Sequence, residues 1–240
     1  MLNTSGLIRA LYDLIYPSVC PVCDRVTSRF AADICPDCQR RLSFVGRSYC
    51  MTCGKPVDEA DEYCADCKGR RHIYDEGRSL LVYDEYASAS VYRFKYRGRR
   101  EYAACYARLM HERLERKIRS WDPDVMIPVP VHKSRLKKRG YNQAALIADE
   151  LAKRTGIPVD KGLILRKVAT GAQKNLSAAE RQKNLKKAFI ATGNVVKYRT
   201  VLIVDDIYTT GATMDALAAV LKDAGVRKVY FVTLCIGRGI

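Results

Sequence analysis

The chain has 240 residues, of which 48% are hydrophobic. It can therefore bury a sizeable core and form one large domain, alone or with a small appendage. This composition excludes a disordered or collagen-like chain. Forty-two Lys and Arg against 26 Asp and Glu give a formal net charge of +16. Because no long block of like charge accounts for this excess, we expect the folded body itself to be positive and its partners to be anionic.

The first segment, residues 1–17, predicts a short amphipathic helix that Pro17 ends. Its apolar residues follow helical spacing, and they are Leu7, Leu11, Leu14 and Ile15. The segment is shorter than the ~20 apolar residues that a membrane span needs, and no secretory signal is visible. We therefore expect it to pack against a neighbouring domain rather than a membrane, and we expect a cytoplasmic protein without a membrane span.

Eight of the ten cysteines form four C-x-x-C pairs, which fall into two successive quartets. The quartets are Cys20, Cys23, Cys35 and Cys38, then Cys50, Cys53, Cys64 and Cys67. Eleven residues separate the two pairs of the first quartet, and ten separate those of the second. Each quartet is typical of a zinc ribbon, in which two turns supply four thiolates at about 2.3 Å from the metal.

Disulfides, redox-active thiols and a cross-braced pairing of alternate turns are the alternatives to two separate zinc ribbons. We favour sequential pairing because each quartet spans few enough residues to close without the other. About two structural zinc ions follow, with no open coordination position. Gly54, directly after one turn, suits a positive φ. Eight thiolates and two Zn²⁺ leave a net charge of about +12, so the expected attraction to anions persists.

A change of pattern at 72–77 divides the chain into a double zinc-ribbon module at 18–76 and a second domain at 77–240. Beyond this boundary, extended and helical patterns alternate. Strands are predicted at 79–83, 124–129, 163–165, 201–204 and 229–234, and helices at 102–118, 142–154 and 214–224. This alternation, with continuous Val, Ile and Leu runs, indicates an α/β fold whose mostly parallel sheet is covered on both faces.

The run from 201 to 213 carries the most informative chemistry. A buried strand is followed by Asp205 and Asp206, then by small hydroxyl residues and glycine that lead into a helix. The candidate phosphate-binding residues are Thr209, Thr210, Gly211, Ala212 and Thr213. Their backbone amides, their hydroxyls and the helix dipole suit a phosphate monoester, while the carboxylates accept from sugar hydroxyls. The run predicts a ribose 5-phosphate site, against the alternative of an Asp pair that caps an ordinary turn.

A basic loop is predicted after the strand at 124–129. Its cationic residues are Lys133, Arg135, Lys137, Lys138 and Arg139. At a strand terminus beside a phosphate loop, such donors suit a pyrophosphate group, together with Mg²⁺ that bridges the substrate oxygens. A solvated charged face is the plain alternative.

Residues 90–140 combine 15 basic with 5 acidic residues, a net charge of +10, and interleave aromatic rings among them. The rings belong to Tyr92, Phe94, Tyr96, Tyr102 and Tyr106. Cations that follow phosphates and rings that stack on bases suit single-stranded DNA, chiefly along 93–139. Packing of the tyrosines in the core is the alternative.

The 201–213 run resembles the phosphoribosyl pyrophosphate (PRPP) signature of type I phosphoribosyltransferases. That resemblance implies a parallel sheet flanked by helices, with the site at the carboxyl ends of the strands. It also implies that Asp205 and Asp206 bind the ribose 2- and 3-hydroxyls, that residues 209–213 bind the 5-phosphate, and that Mg²⁺ accompanies PRPP.

The cysteine pairs, the runs at 94–98, 129–131, 139–143 and 173–181 and the PRPP signature together resemble the ComF (ComFC-like) competence proteins over nearly the whole chain. The resemblance implies DNA uptake during natural transformation, with other uptake proteins as partners, and a mobile hood or flexible loop at 173–181. Two functions stay open. One is an active phosphoribosyltransferase of nucleotide metabolism or salvage, which releases pyrophosphate. The favoured one is an uptake factor that binds PRPP and single-stranded DNA. No catalytic residue or acceptor pocket is identified.

Overall fold

The computed structural model describes residues 18–27, 34–167, 188–193 and 195–237. The predicted helix at 1–17 and the stretch at 173–181 lie outside the described residues. No helix within these described ranges is long and apolar enough to cross a membrane.

A four-stranded parallel sheet forms the centre of the molecule. Its strands are β1 (Glu76–Val82), β2 (Val125–Pro128), β5 (Thr200–Tyr208) and β6 (Lys228–Ile236), and a separate antiparallel pair consists of β3 (Ile164–Arg166) and β4 (Phe189–Ala191). The order across the sheet is β1-β6-β5-β2. The register places Val204 of β5 beside Pro128 on one side and Val232 on the other. Buried Val, Ile and Leu runs build β5 and β6 because helices cover both faces.

Helices and a 3-10 turn complete the described chain. They are α1 (Pro36–Arg41), α2 (Ala65–Lys68), α3 (Glu85–Tyr96), α4 (Tyr102–Trp121), α5 (Lys133–Arg139), α6 (Gln143–Thr155) and α7 (Ala212–Asp223), with the 3-10 turn at Val195–Lys197. Apolar residues of α3, α4 and α6 form the core on one face of the sheet. Those of α7 and of the β3–β4 pair form the core on the other face.

The cysteine-rich segment is built onto the β1 edge of this sheet. Between the two quartets, the Val45 N–H donates to the Leu80 carbonyl at 3.0 Å, and the Val82 N–H donates to the Ser43 carbonyl at 2.7 Å. The first quartet's Cys20 and Cys38 pack into the core of α3 and α4, whereas Cys50 and Cys53 of the second pack into the core of α7. The two ribbons therefore lie against opposite faces of the sheet.

The predicted α/β class with a parallel sheet is confirmed, and the boundaries show where sequence patterns fail. Strand β5 continues through the acidic pair to Tyr208 instead of stopping at 204. The prediction of a loop at 133–139 is wrong, because the segment forms α5. His132 Nδ1 accepts from the Ser134 N–H at its start, and Gly140 ends it. Leu136 is the one apolar residue of α5, so this segment lacks the apolar periodicity from which an amphipathic helix is predicted.

Candidate functional site

The eight cysteines form two tetrads, with all four Sγ atoms of each within 4.8 Å of one another. The Cys23 and Cys35 Sγ atoms lie 3.8 Å apart, and those of Cys53 and Cys64 lie 3.6 Å apart. Thiolates at about 2.3 Å from a tetrahedral zinc stand about 3.8 Å from one another. Both tetrads therefore fit structural zinc, and the predicted sequential pairing is confirmed.

In each tetrad, one thiol gives up its proton more readily than usual. A hydrogen bond from the Cys38 backbone lowers the pKa of Cys35 to about 7. A hydrogen bond from the Cys53 side chain lowers the pKa of Cys50 to about 4. Burial raises the pKa of Cys38 in the first tetrad, and the bond with Cys50 followed by burial raises that of Cys53 in the second, so each tetrad joins a readily ionised thiol to one that keeps its proton.

The second tetrad is fixed to the start of β1. Gly54 has φ +78°, and its N–H donates to the Cys50 carbonyl at 2.8 Å. A Cβ at this position would lie 2.8 Å from the Gly77 carbonyl oxygen, so only glycine fits the positive φ and the close approach together. The Gly77 N–H donates to the Thr52 carbonyl at 2.8 Å. The metal-binding turn and the sheet are thus joined backbone to backbone.

The predicted phosphate loop follows β5 and leads directly into α7. Thr209 and Thr210 are exposed, and Gly211, at φ +77°, is the N-cap residue of α7. Among the described residues, no side chain caps this helix. The amides of its first turn have no partners within the helix, and the positive end of the helix dipole lies at the same place. Such a terminus suits a phosphate group.

The two carboxylates of the acidic pair have different surroundings. Lys95 of α3 contacts Asp206 with Nζ 2.8 Å from Oδ1, and both side chains are largely buried. The Asp206 N–H donates to Asp205 Oδ1 at 2.8 Å. Burial, and then the charge of Asp206, raise the pKa of Asp205 to about 8. Asp205 therefore keeps its proton to a higher pH than an ordinary carboxylic acid does.

Lys95 and Arg166 belong to this site, and the sequence did not predict either of them. Arg166, at the end of β3, has its pKa lowered by burial and by the charge of Arg135, and raised by that of Asp205. Arg135 and Asp205 are thus both near enough for their charges to act on Arg166. Lys95 lies in the 94–98 run that was noted only for its family resemblance. Nothing in the sequence marks Arg166, which ends a short strand and is followed directly by Lys167.

The other basic candidates spread along α5. Lys133, Lys137 and Lys138 are exposed. Arg139 contacts α3 instead, and its guanidinium lies over the Tyr96 ring, 4.8 Å from the centroid, while it donates to the Tyr96 hydroxyl at 2.9 Å. The predicted cluster therefore divides between exposed cations of α5 and Arg139, which contacts α3.

The five aromatic residues of 90–140 also divide. Phe94, Tyr102 and Tyr106 are at most 1% exposed, so core packing accounts for them. Tyr92 and Tyr96 are 54% and 49% exposed, with ring centroids 5.1 Å apart. They line a groove of about 510 Å³, whose other lining residues are Lys95, Gly98, Lys138 and Arg139. We call this the α3–α5 groove.

Three cations of α4 are held in ion pairs, two with acidic residues of the same helix and one with β1. Arg108 pairs with Glu112 at 2.6 Å, and Arg119 pairs with Glu115 at 2.7 Å. Lys117 pairs with Glu76 at 2.8 Å. The cations that line the α3–α5 groove come from α3 and α5.

Comparison with known proteins identifies a family for each of two parts of the chain. The double zinc ribbon domain family matches residues 11–68, and the phosphoribosyl transferase domain family matches residues 136–239. The chain is thus a double zinc ribbon followed by a domain of the phosphoribosyltransferase fold.

Relatives of known name extend this agreement to most of the chain. The chain is 32% identical to Competence protein F of Haemophilus influenzae over 75% of this chain and 81% of that protein. It is 34% identical to DNA utilization protein YhgH of Salmonella typhi, over 78% and 84%. It is 27% identical to Competence protein ComFC of Bacillus subtilis, over 73% and 72%. The chain belongs to the competence protein F family.

Proposed function

We propose that this protein binds PRPP with Mg²⁺ at the β5–α7 loop and handles single-stranded DNA during DNA uptake. The observation that carries the proposal is the ion pair between Lys95 and Asp206. It joins the acidic pair of the predicted PRPP site to a lysine that also lines the α3–α5 groove. One residue is therefore shared by the two candidate binding sites, and the names of the relatives support DNA as the second ligand.

At the PRPP site, each group of this chain has a defined chemical task. The amides of the first turn of α7 and the hydroxyls of Thr209, Thr210 and Thr213 donate to the 5-phosphate. Asp205 and Asp206 accept from the ribose 2- and 3-hydroxyls. Arg135 and Arg166, whose charges act on each other near Asp205, donate to the pyrophosphate oxygens. Mg²⁺ supplies further positive charge to those oxygens when it is bound.

In the α3–α5 groove, two exposed tyrosine rings stand beside Lys95, Lys138 and Arg139. Stacking of bases on rings tolerates any sequence, because every base has a π face. Contacts from the cations go to phosphates, so they position the strand without reading its sequence. We therefore expect single-stranded DNA binding with little sequence preference.

Calorimetry with Mg²⁺ and PRPP tests the first half of the proposal. Asp205→Ala should abolish the binding heat without a large fall in melting temperature, since it removes an acceptor for a sugar hydroxyl and also removes the cost of burying a carboxyl group beside Asp206. The role of Asp206 is tested in the double variant Lys95→Met with Asp206→Asn, because replacing Asp206 alone would leave the Lys95 charge buried without a partner. Equal affinity of wild type and Asp205→Ala would reject the assigned role.

Fluorescence anisotropy across a salt series tests the second half. Log affinity should fall with log salt at about 0.7 per phosphate contact on a single strand. Replacement of Lys137, Lys138 and Arg139 together should flatten that slope and weaken binding to every sequence alike. A slope unchanged in this variant would show that the positive charge serves another partner.

The transferase-domain match supports a second candidate, an active enzyme that transfers the pentosyl group from PRPP and releases pyrophosphate. Turnover of PRPP with candidate acceptors, with and without single-stranded DNA, separates this candidate from binding alone.

A further inference from the structure

Asp215 lies in the first turn of α7, directly after the phosphate loop, and its side chain is 1% exposed. Its carboxylate accepts from the Arg70 guanidinium at 2.8 Å, from His72 Nδ1 at 3.0 Å and from the Ile73 backbone N–H at 2.8 Å. All three donors belong to residues 70–73, which begin three residues after the zinc ligand Cys67. The start of α7 is thus held by chain that leaves the second tetrad.

The same segment packs beneath Gly211. A Cβ at this position would lie 2.6 Å from the Tyr208 hydroxyl oxygen and 3.0 Å from His72 Cε1. The Tyr208 hydroxyl also bonds to the Tyr74 hydroxyl at 2.8 Å, and the Tyr74 ring stacks on His72 with centroids 4.6 Å apart. His72 and the two tyrosines therefore form the floor of the phosphate loop.

This floor contains an unsatisfied polar atom. The His72 side chain is 1% exposed, and its Nε2 has no hydrogen-bond partner in the part of the chain that the structure describes. A buried polar atom without a partner is costly, and native proteins keep few of them. Its position against Gly211 makes the loop, or a ligand in it, the nearest place for the missing partner.

The charge balance at the start of α7 also depends on residues 70–73, which follow the second tetrad. A buried carboxylate in the first turn of α7 opposes a phosphate at the same helix terminus. The Arg70 guanidinium, in contact with that carboxylate, offsets its charge. Without residues 70–73, Asp215 would repel the anion that the loop is shaped to bind.

Two further contacts connect this arrangement to the metal site. Cys50 and Cys53 are fully buried in the same apolar core as Tyr74 and Tyr208. The segment between Cys67 and β1 is also tied at its far end, where Gly77 bonds to the metal-binding turn at Thr52. Loss of the metal would release this segment at its Cys67 end and weaken the Gly77–Thr52 contact at the other, while Asp75 stays bonded to Val229 of β6.

We propose that the second zinc site positions the phosphate loop, with Asp215 as the positioning residue. Arg70 and His72 transmit the order of the metal site to Asp215, which keeps Gly211 and the start of α7 in the conformation that binds phosphate. The choice of ligand rests on the proposed function. The first tetrad takes no part, because it packs into the core on the other face of the sheet.

Amide hydrogen exchange on the ligand-free protein tests the positioning role directly. Asp215→Asn should speed exchange of the 209–214 amides by at least about tenfold, since it weakens the bonds that hold α7 to residues 70–73. Asp75→Asn is the matched control. Asp75 lies in the same segment, but it accepts from the Val229 N–H and pairs with Lys222 at the other end of α7. It should lower the melting temperature and leave the exchange of the 209–214 amides unchanged.

The metal dependence is tested with Cys64→Ser plus Cys67→Ser. This variant should speed exchange of the same amides as Asp215→Asn does, and it should weaken PRPP binding about tenfold. Combining it with Asp215→Asn should change the exchange rates and the affinity little further. If the cysteine variant does not fold, Arg70→Gln in the zinc-loaded protein takes its place with the same expected results.

Unchanged exchange of the 209–214 amides in Asp215→Asn and Arg70→Gln, or the same acceleration in Asp75→Asn, would overturn the positioning role. A wild-type chain that gives no heat with PRPP would reject the proposed function, while the exchange data would still decide the positioning role.

Discussion

The two zinc ribbons share their cysteine spacing but hold different parts of the molecule. At the first ribbon, Asp24 accepts from the Tyr102 hydroxyl and from Arg99, both at 2.6 Å, which fixes this ribbon to α4 and to the loop that precedes it. At the second ribbon, residues 70–73 hold the start of α7. The first ribbon thus lies on the same face as the α3–α5 groove, and the second on the face of the phosphate loop. Spacing specifies a metal site, whereas the surrounding contacts decide what that site supports.

Metal loss should give the largest effect and should differ between the ribbons. We expect Cys53→Ser to lower the free energy of unfolding by several kcal/mol, because zinc binding is folding free energy and Cys53 lies fully buried in the sheet core. Cys23→Ser should cost less, since Cys23 is only half-buried. Denaturant titration with zinc analysis of each variant measures both. Equal losses would mean that the two ribbons are energetically equivalent.

The next largest effect should come from the ion pair on the first ribbon's side of the sheet. Lys95→Met leaves the Asp206 carboxylate buried without its partner, so we expect a loss of about 3 kcal/mol in the free energy of unfolding. Lys138→Met, at an exposed position in the same groove, should change it by less than about 0.5 kcal/mol.

The double variant Lys95→Met with Asp206→Asn should recover most of the stability lost in Lys95→Met. If the double variant is no more stable than Lys95→Met, the stability is lost through packing of the lysine stem rather than through the unpaired Asp206 carboxylate.

The exposed rings should distinguish the two faces in DNA binding. Tyr92→Ala and Tyr96→Ala should each weaken single-stranded DNA binding by about 1–3 kcal/mol if a base stacks on the ring. Tyr63→Ala removes another exposed tyrosine, 41% exposed and on the second ribbon, and should leave the affinity unchanged. Anisotropy titrations at one salt concentration compare the three, and an equal loss in all of them would place DNA elsewhere.

Some features of the fold and the site could be predicted from the sequence, and others could not. Periodicity and cysteine spacing predicted the parallel sheet, the phosphate loop and both tetrads, because each depends on residues close together in the chain. The contacts of Asp215 with Arg70 and of Asp206 with Lys95 join residues more than a hundred positions apart, and no local pattern encodes them. The exposed Tyr92 and the buried Phe94 fall in one aromatic run, and only the packing of α3 separates them.

The last effect is set by pH and concerns Asp205, whose pKa burial raises from 3.8 to about 8. Folding favours its protonated form, so the stability that this group contributes is fully present below about pH 4 and declines as pH rises toward 8. The slope is at most about 1.4 kcal/mol per pH unit. Asp205→Asn should remove this decline, and the variant should gain stability over wild type as pH rises from 5 to about 8. Urea titrations across this range measure the difference, with Asp149→Asn as the control for loss of one negative charge, since the Asp149 side chain is 36% exposed and pairs with Lys161. A constant difference between wild type and Asp205→Asn over these pH values would mean that Asp205 is already ionised in the folded protein. PRPP binding would then need no deprotonation at this carboxylate, and its affinity should not rise with pH.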